Sequence, residues 1–138
     1  MRQQIASLRV PPIFLTQEEI IMTYIDGFVA AVPTGNREAY IKHAASTAAL
    51  FKEYGALTVV DCWGDDVPEG KVTSFTMAVQ RKDDETVVFS WITWPSREKR
   101  DEAWKVIMAD PRMQPGENPM PFDGKRLIYG GFETIVEV

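Results

Sequence analysis

The sequence predicts an α+β domain, an antiparallel sheet with two helices packed on one of its faces. Three observations lead there. Stretches rich in β-branched and aromatic residues recur at 23–32, 56–63, 72–80, 86–94 and 126–136. Two segments, 36–54 and 96–110, instead space their apolar side chains as a helix does. Gly, Pro, Asn and Asp punctuate the junctions between them.

The elements follow in order. Residues 1–21 hold Pro11-Pro12 and little periodicity, and read as an extension ahead of a single domain at 22–138. Met22 is the expected natural start, because Gln17-Glu18-Glu19 back-translates to CAGGAGGAA, a purine-rich ribosome-binding sequence. A first strand covers 23–32, and Pro33, Thr34, Gly35 and Asn36 break it. Thr34 or Asn36 is the expected cap of a helix whose apolar face is Tyr40, Ala44, Ala48 and Phe51, with Gly55 ending it. A second strand spans 56–63. The segments 72–80 and 86–94 read as a strand pair joined by the charged turn Arg81-Lys82-Asp83-Asp84-Glu85. Ser96 is the expected cap of the second helix, in which Arg100, Ala103, Trp104 and Ile107 share a face. That helix should stop at Asp110, since a residue before proline disfavours the α conformation. A proline-rich loop, 111–124, and a last strand, 126–136, close the chain.

This order is the ferredoxin-like β-α-β-β-α-β arrangement, with 72–80 either a further strand or part of the long hairpin. Several strands are apolar on both faces. Val87, Phe89 and Trp91 alternate with Val88, Ile92 and Trp94, and Phe75, Met77 and Val79 add a stripe. Such a sheet needs two covers, and the chain offers helices for one. The second cover is expected to be another copy, giving a homodimer through sheet faces. Burying four large side chains per subunit would contribute about 6–12 kcal/mol before the ordering costs of association.

Composition narrows the function classes. The 138 residues are 45 % hydrophobic and 25 % charged, enough for one self-supporting core. Fifteen Lys and Arg against 20 Asp and Glu give a net charge of −5, which argues against nucleic acid and anionic membranes as partners. The lone Cys62 excludes an intrachain disulfide framework and a Cys-only zinc site. One His, one Cys and scattered carboxylates show no metal-ligand spacing, so no metal or other cofactor is expected. No apolar run is long enough to cross a bilayer, and Pro11, Pro12, Glu18 and Glu19 break any signal-peptide order; the expected setting is the cytoplasm.

Several motifs carry a resemblance. Tyr24-Ile25-Asp26-Gly27-Phe28-Val29, Leu50-Phe51-Lys52-Glu53-Tyr54-Gly55-Ala56, Asp61-Cys62-Trp63-Gly64-Asp65-Asp66-Val67-Pro68 and Phe89-Ser90-Trp91-Ile92 resemble the bacterial YbaA-like family. So do Asp110-Pro111-Arg112-Met113 and 120–126, and the likeness runs from Met22 to about Glu137. The family is a domain of unknown function. The resemblance implies a dimeric α/β barrel, a fold shared by small monooxygenases, isomerases and stress-induced proteins, and it supplies no catalytic set.

The candidate site residues therefore rest on side-chain chemistry. His43, the sole histidine, is a candidate proton donor or acceptor, and Asp61, at a strand end beside an indole, a candidate base or orienting carboxylate. Alternation puts Asp61 and Trp63 on one sheet face and Cys62 on the other, where it reads as a small buried hydrophobe. Trp63, Trp91 and Tyr40 are candidate apolar walls for a substrate, although Trp91, Trp94 and Trp104 also suit a core or dimer interface. Arg112 is a candidate for gripping a carboxylate, with an ion pair to Asp110 the favoured account; Arg126 and Asp123 present the same choice. The expected protein is a homodimer that binds a small organic molecule in the helix–sheet cleft, acting on it as a cofactor-independent monooxygenase- or isomerase-like enzyme. The alternative is a non-enzymatic, stress-related binding or adaptor dimer, with an RNA-associated role the least favoured.

Overall fold

The computed structural model describes residues 22–138, so the expected extension, residues 1–21, lies outside the described residues. The chain runs β1 (Tyr24–Pro33), α1 (Arg37–Glu53), β2 (Thr58–Trp63), a single helical turn α2 (Phe75–Ala78), β3 (Glu85–Trp94), α3 (Arg97–Ala109) and β4 (Ile128–Glu133). The strands form one antiparallel sheet in the order β2-β3-β1-β4. The class is α+β, as the alternation of strand and helix patterns requires.

Register fixes which side chains meet. Asp26 lies opposite Ile92, Phe28 opposite Ser90, and Asp61 opposite Ser90 on the other flank of β3. Residues directly opposite in an antiparallel pair share a face. On that face Ile92 and Trp94 meet Leu50 and Phe51 of α1 and Ala103 and Ile107 of α3, forming the main core. Trp94 and Ile107 are completely enclosed, and such burial stabilises by about 1.5–3 kcal/mol per large side chain.

Local chemistry sets the helix ends. Gly55, at φ +111°, takes the left-handed conformation that lets the chain leave α1. Ser96 Oγ accepts the Lys99 N–H at 3.1 Å and so caps α3, as its sequence position predicts. Asp110, extended before Pro111, ends α3.

Other expectations are corrected. Segment 72–80 is not a strand. Both edges of β3, its expected hairpin partner, are already filled, by β1 and β2. Ser74 Oγ caps the Met77 N–H at 2.9 Å and starts the turn α2 instead. Spacing of three then turns Thr76 and Val79 inward, and Val79 packs with Val29, Ala31 and Val87 on the sheet face away from α1 and α3. One end of that face is therefore covered by the chain itself. Neither Thr34 nor Asn36 caps α1 with its side chain, because Thr34 bonds Thr86 and Asn36 donates to the Pro121 carbonyl. The last strand is shorter than expected, Ile128–Glu133, since Gly124–Arg126 form a 3₁₀ turn capped by Asp123. Cys62 is exposed rather than buried, because β2 is an edge strand whose outer face has little cover among the described residues.

Candidate functional site

Alternation along β2 leaves Asp61 and Trp63 facing α1. Arg37, Tyr40, Ile41 and Ala44, at positions i, i+3, i+4 and i+7 of α1, come down over them. Between the two elements is an open cavity of about 330 Å³ lined by Arg37, Tyr40, Ile41, Ala44, Asp61 and Trp63, together with Cys62.

Its polar core is one short hydrogen bond, in which the Tyr40 hydroxyl donates to Asp61 Oδ1 at 2.6 Å. Burial of the Tyr40 ring pushes its phenol well above the usual value of 10.0, and the hydrogen bond and charge of Asp61 push it further, against a smaller opposing contribution from the Ser90 hydroxyl. Tyr40 is thus held protonated as a donor. Asp61 is exposed, and its other oxygen makes no hydrogen bond among the described residues. Trp63 lies 6.2 Å from the Tyr40 ring, and Phe122, from the proline-rich loop, packs on Tyr40 at 5.9 Å. The Arg37 guanidinium sits 5.7 Å from the centroid of the Trp63 ring.

The other predicted residues lie elsewhere. His43 is one turn further along α1, outside the cavity lining, with Nδ1 3.0 Å from Asn118 Oδ1 and its ring edge-on to Phe122. Trp91 does not share a wall with Trp63. It alternates with Ile92 onto the opposite sheet face, where it meets Phe89 at 5.6 Å. Arg112 is engaged by two carboxylates, Glu53 at 2.9 Å and Asp110 at 2.7 Å, and so fills the anchoring role that its sequence setting favours. That pairing holds the Asp110 carboxyl well below the usual range. Arg126 likewise bridges Asp123 at 3.0 Å and Glu85 at 2.6 Å.

Sequence reasoning missed one cluster. Asp26, buried in β1, accepts the indole N–H groups of Trp94 at 2.9 Å and Trp104 at 2.8 Å and pairs with Arg100 at 2.8 Å. Gly131 makes room for it: a Cβ there would come within 2.6 Å of the Arg100 guanidinium. The signal was a carboxylate alternating with Tyr24 and Phe28 on the core side of a strand. No group of three or more His, Cys, Asp or Glu among the described residues is arranged to hold a metal ion. Likewise, no helix among them is long and apolar enough to cross a membrane.

Fold and cavity together define a small α+β domain with an open cleft, of mixed apolar and charged lining, between its first helix and an edge strand. Residues 23–124 match the family described as Protein of unknown function (DUF1428). The chain is 58 % identical over 116 residues to "Uncharacterized protein YbaA" of Escherichia coli (strain K12), covering 84 % of this chain and 99 % of that protein. The proteins of the same name from Escherichia coli O157:H7 and Shigella flexneri show the same identity and coverage. The chain belongs to the DUF1428 family.

Proposed function

We propose that the chain is a ferredoxin-like subunit of a dimeric α/β barrel, a cytoplasmic homodimer that binds a small organic molecule in the cavity between α1 and β2. The observation that carries the binding role is the Tyr40–Asp61 hydrogen bond on the cavity wall. It occupies one carboxylate oxygen, orients the other toward a ligand, and keeps the phenol as a donor. Asp61 is then the group available to accept a hydrogen bond or a proton, and Trp63 and Ile41 supply apolar wall. Binding without turnover is the second reading. In its favour, the sole histidine is engaged by Asn118 outside the cavity.

The dimer rests on the sheet face that α1 and α3 leave open. Phe75, Phe89 and Phe132 are 50 %, 44 % and 61 % exposed there, and the Phe75 and Phe89 rings touch at 5.9 Å. Contiguous exposed aromatics of this kind mark a contact surface. A second copy presents the same rings and would also cover Cys62. Sedimentation should therefore give a dimer at micromolar concentration and a monomer for Phe89→Glu; a monomeric wild type removes the barrel. For the cavity, a thermal-shift screen of a metabolite library should yield compounds whose effect disappears in Asp61→Asn. Hits indifferent to that substitution would place the site elsewhere.

A further inference from the structure

Six arginines lie among the described residues, and five are ion-paired. Arg81 meets Glu69, Arg97 meets Asp101, Arg100 meets Asp26, Arg112 meets Glu53 and Asp110, and Arg126 meets Glu85 and Asp123. The Arg37 side chain alone has no carboxylate and no hydrogen-bond partner among the described residues; it lies over the face of Trp63. That exception lines the same cavity as Asp61, and the two groups form no ion pair. One wall thus offers an open guanidinium fork and another a half-free carboxylate oxygen, with Ile41, Ala44 and Trp63 between them.

We infer that the ligand is a small monocarboxylate carrying a hydrogen-bond donor, a hydroxyl or an ammonium group, at its far end. This inference rests on the binding reading above and specifies its ligand class. The carboxylate meets the Arg37 fork in two-pronged fashion, and the indole behind Arg37 keeps the guanidinium flat and pre-oriented. The donor meets Asp61, whose other oxygen is committed to Tyr40. The apolar body lies along Ile41 and Ala44. Dianions are disfavoured, because one positive and one negative group cannot hold two negative ends. A purely apolar ligand would leave both charged groups without partners as water is displaced.

The test uses the full chain and calorimetric titration with defined probes. Both p-hydroxybenzoate and p-(aminomethyl)benzoate carry the two required ends. p-Toluate lacks the donor, p-cresol lacks the carboxylate, and terephthalate carries a carboxylate at each end. The first two should bind, or at least one of them. p-Toluate and p-cresol should each be weaker by about tenfold or more, the loss expected for one charge-assisted hydrogen bond. Arg37→Gln should abolish the preference over p-cresol while leaving the melting temperature within a few degrees, since Arg37 has only its contact with the Trp63 ring to lose. Asp61→Asn should abolish the preference over p-toluate and improve terephthalate. If p-cresol binds wild type as tightly as p-hydroxybenzoate, the carboxylate inference falls while the cavity reading stands. If none of the five probes binds wild type while the metabolite screen yields hits that depend on Asp61, the monocarboxylate inference falls and the cavity reading stands; if that screen also yields none, the cavity reading falls as well.

Discussion

Asp26 and Asp61 are both strand carboxylates on the helix-covered face of the sheet, yet their surroundings are opposite. Asp26 is buried, and two indoles and a guanidinium fill its oxygens. Asp61 is exposed and holds a single hydrogen-bond partner among the described residues, Tyr40. The difference follows from position in the sheet. β1 is central and roofed by α3 at Asp26, whereas β2 is an edge strand, and Asp61 on it meets only the open cavity under the first turns of α1. A carboxylate with every lone pair answered holds the fold together and has nothing left for a ligand. One with an open oxygen on a cavity is available for function.

The sharpest way to break this contrast is Asp26→Asn. It keeps the shape but removes the charge facing Arg100 and turns one acceptor oxygen into a donor aimed at N–H groups. Removing one partner of a buried pair costs about 3–5 kcal/mol, and urea denaturation should show a loss in that range. Asp61→Asn, by contrast, should change stability by about 1 kcal/mol or less, since Asp61 is exposed. Equal losses at the two sites would mean that Asp61 is structural as well.

Glu85 extends the comparison to pH. Its buried carboxylate is held by Arg126 at 2.6 Å and 2.7 Å and by the Lys82 N–H, which lowers its pKa from 4.5 to about 2 against the opposing effect of burial. A lowered folded-state value means that stability is present above the unfolded value and lost as the pH falls from about 4.5 toward 2. Glu85→Gln should cost about 3 kcal/mol at neutral pH, the low end for a buried pair. It should also flatten the fall in urea midpoint across that acid window. An unchanged acid slope would assign the pH dependence to other carboxylates.

These contrasts also explain what the sequence disclosed. Hydrophobic period and caps located both helices, because Ser96, Gly55 and Pro111 act over a few residues. The Asp61–Trp63 face was legible for the same reason: alternation in a strand is local. Segment 72–80 was misread because whether a β-branched stretch pairs depends on whether β3 has a free edge, which only the assembled sheet decides. Trp91 was likewise grouped with Trp63, although the antiparallel register puts them on opposite faces. Arg37 escaped notice because an arginine at a helix start looks ordinary. Its distinction is that every other described arginine found a carboxylate, a property of the whole fold.

Tyr40→Phe probes the open site more gently. It removes one hydroxyl from a hydrogen bond to a charged group, worth about 1.5–3 kcal/mol, at the low end here because Asp61 is exposed. The raised phenol makes a signed prediction: stability contributed by keeping Tyr40 neutral is present below pH 10 and lost as the pH climbs above it. Ultraviolet titration of wild type should show phenol ionisation delayed until the protein unfolds. The Tyr54 phenol, raised by its hydrogen bond to Asp110, contributes to that delayed fraction too, so Tyr40→Phe should diminish it without abolishing it.

The smallest effect is expected at His43. Its ring contacts Phe122 edge-on and Asn118 through one hydrogen bond, and both partners belong to the segment following Pro111. Asn118 also donates to Thr47 at 3.2 Å, so the segment keeps a second tie to α1 when the imidazole is removed. His43→Ala should therefore lower stability by only about 0.5–1 kcal/mol. Because His43 stands outside the cavity lining, probe affinity should stay within about twofold, well short of the tenfold steps that a lost charge-assisted contact produces. A tenfold loss of affinity at unchanged stability would return His43 to the site, and would mean that Phe122 and the loop that carries it close over the ligand together with the imidazole.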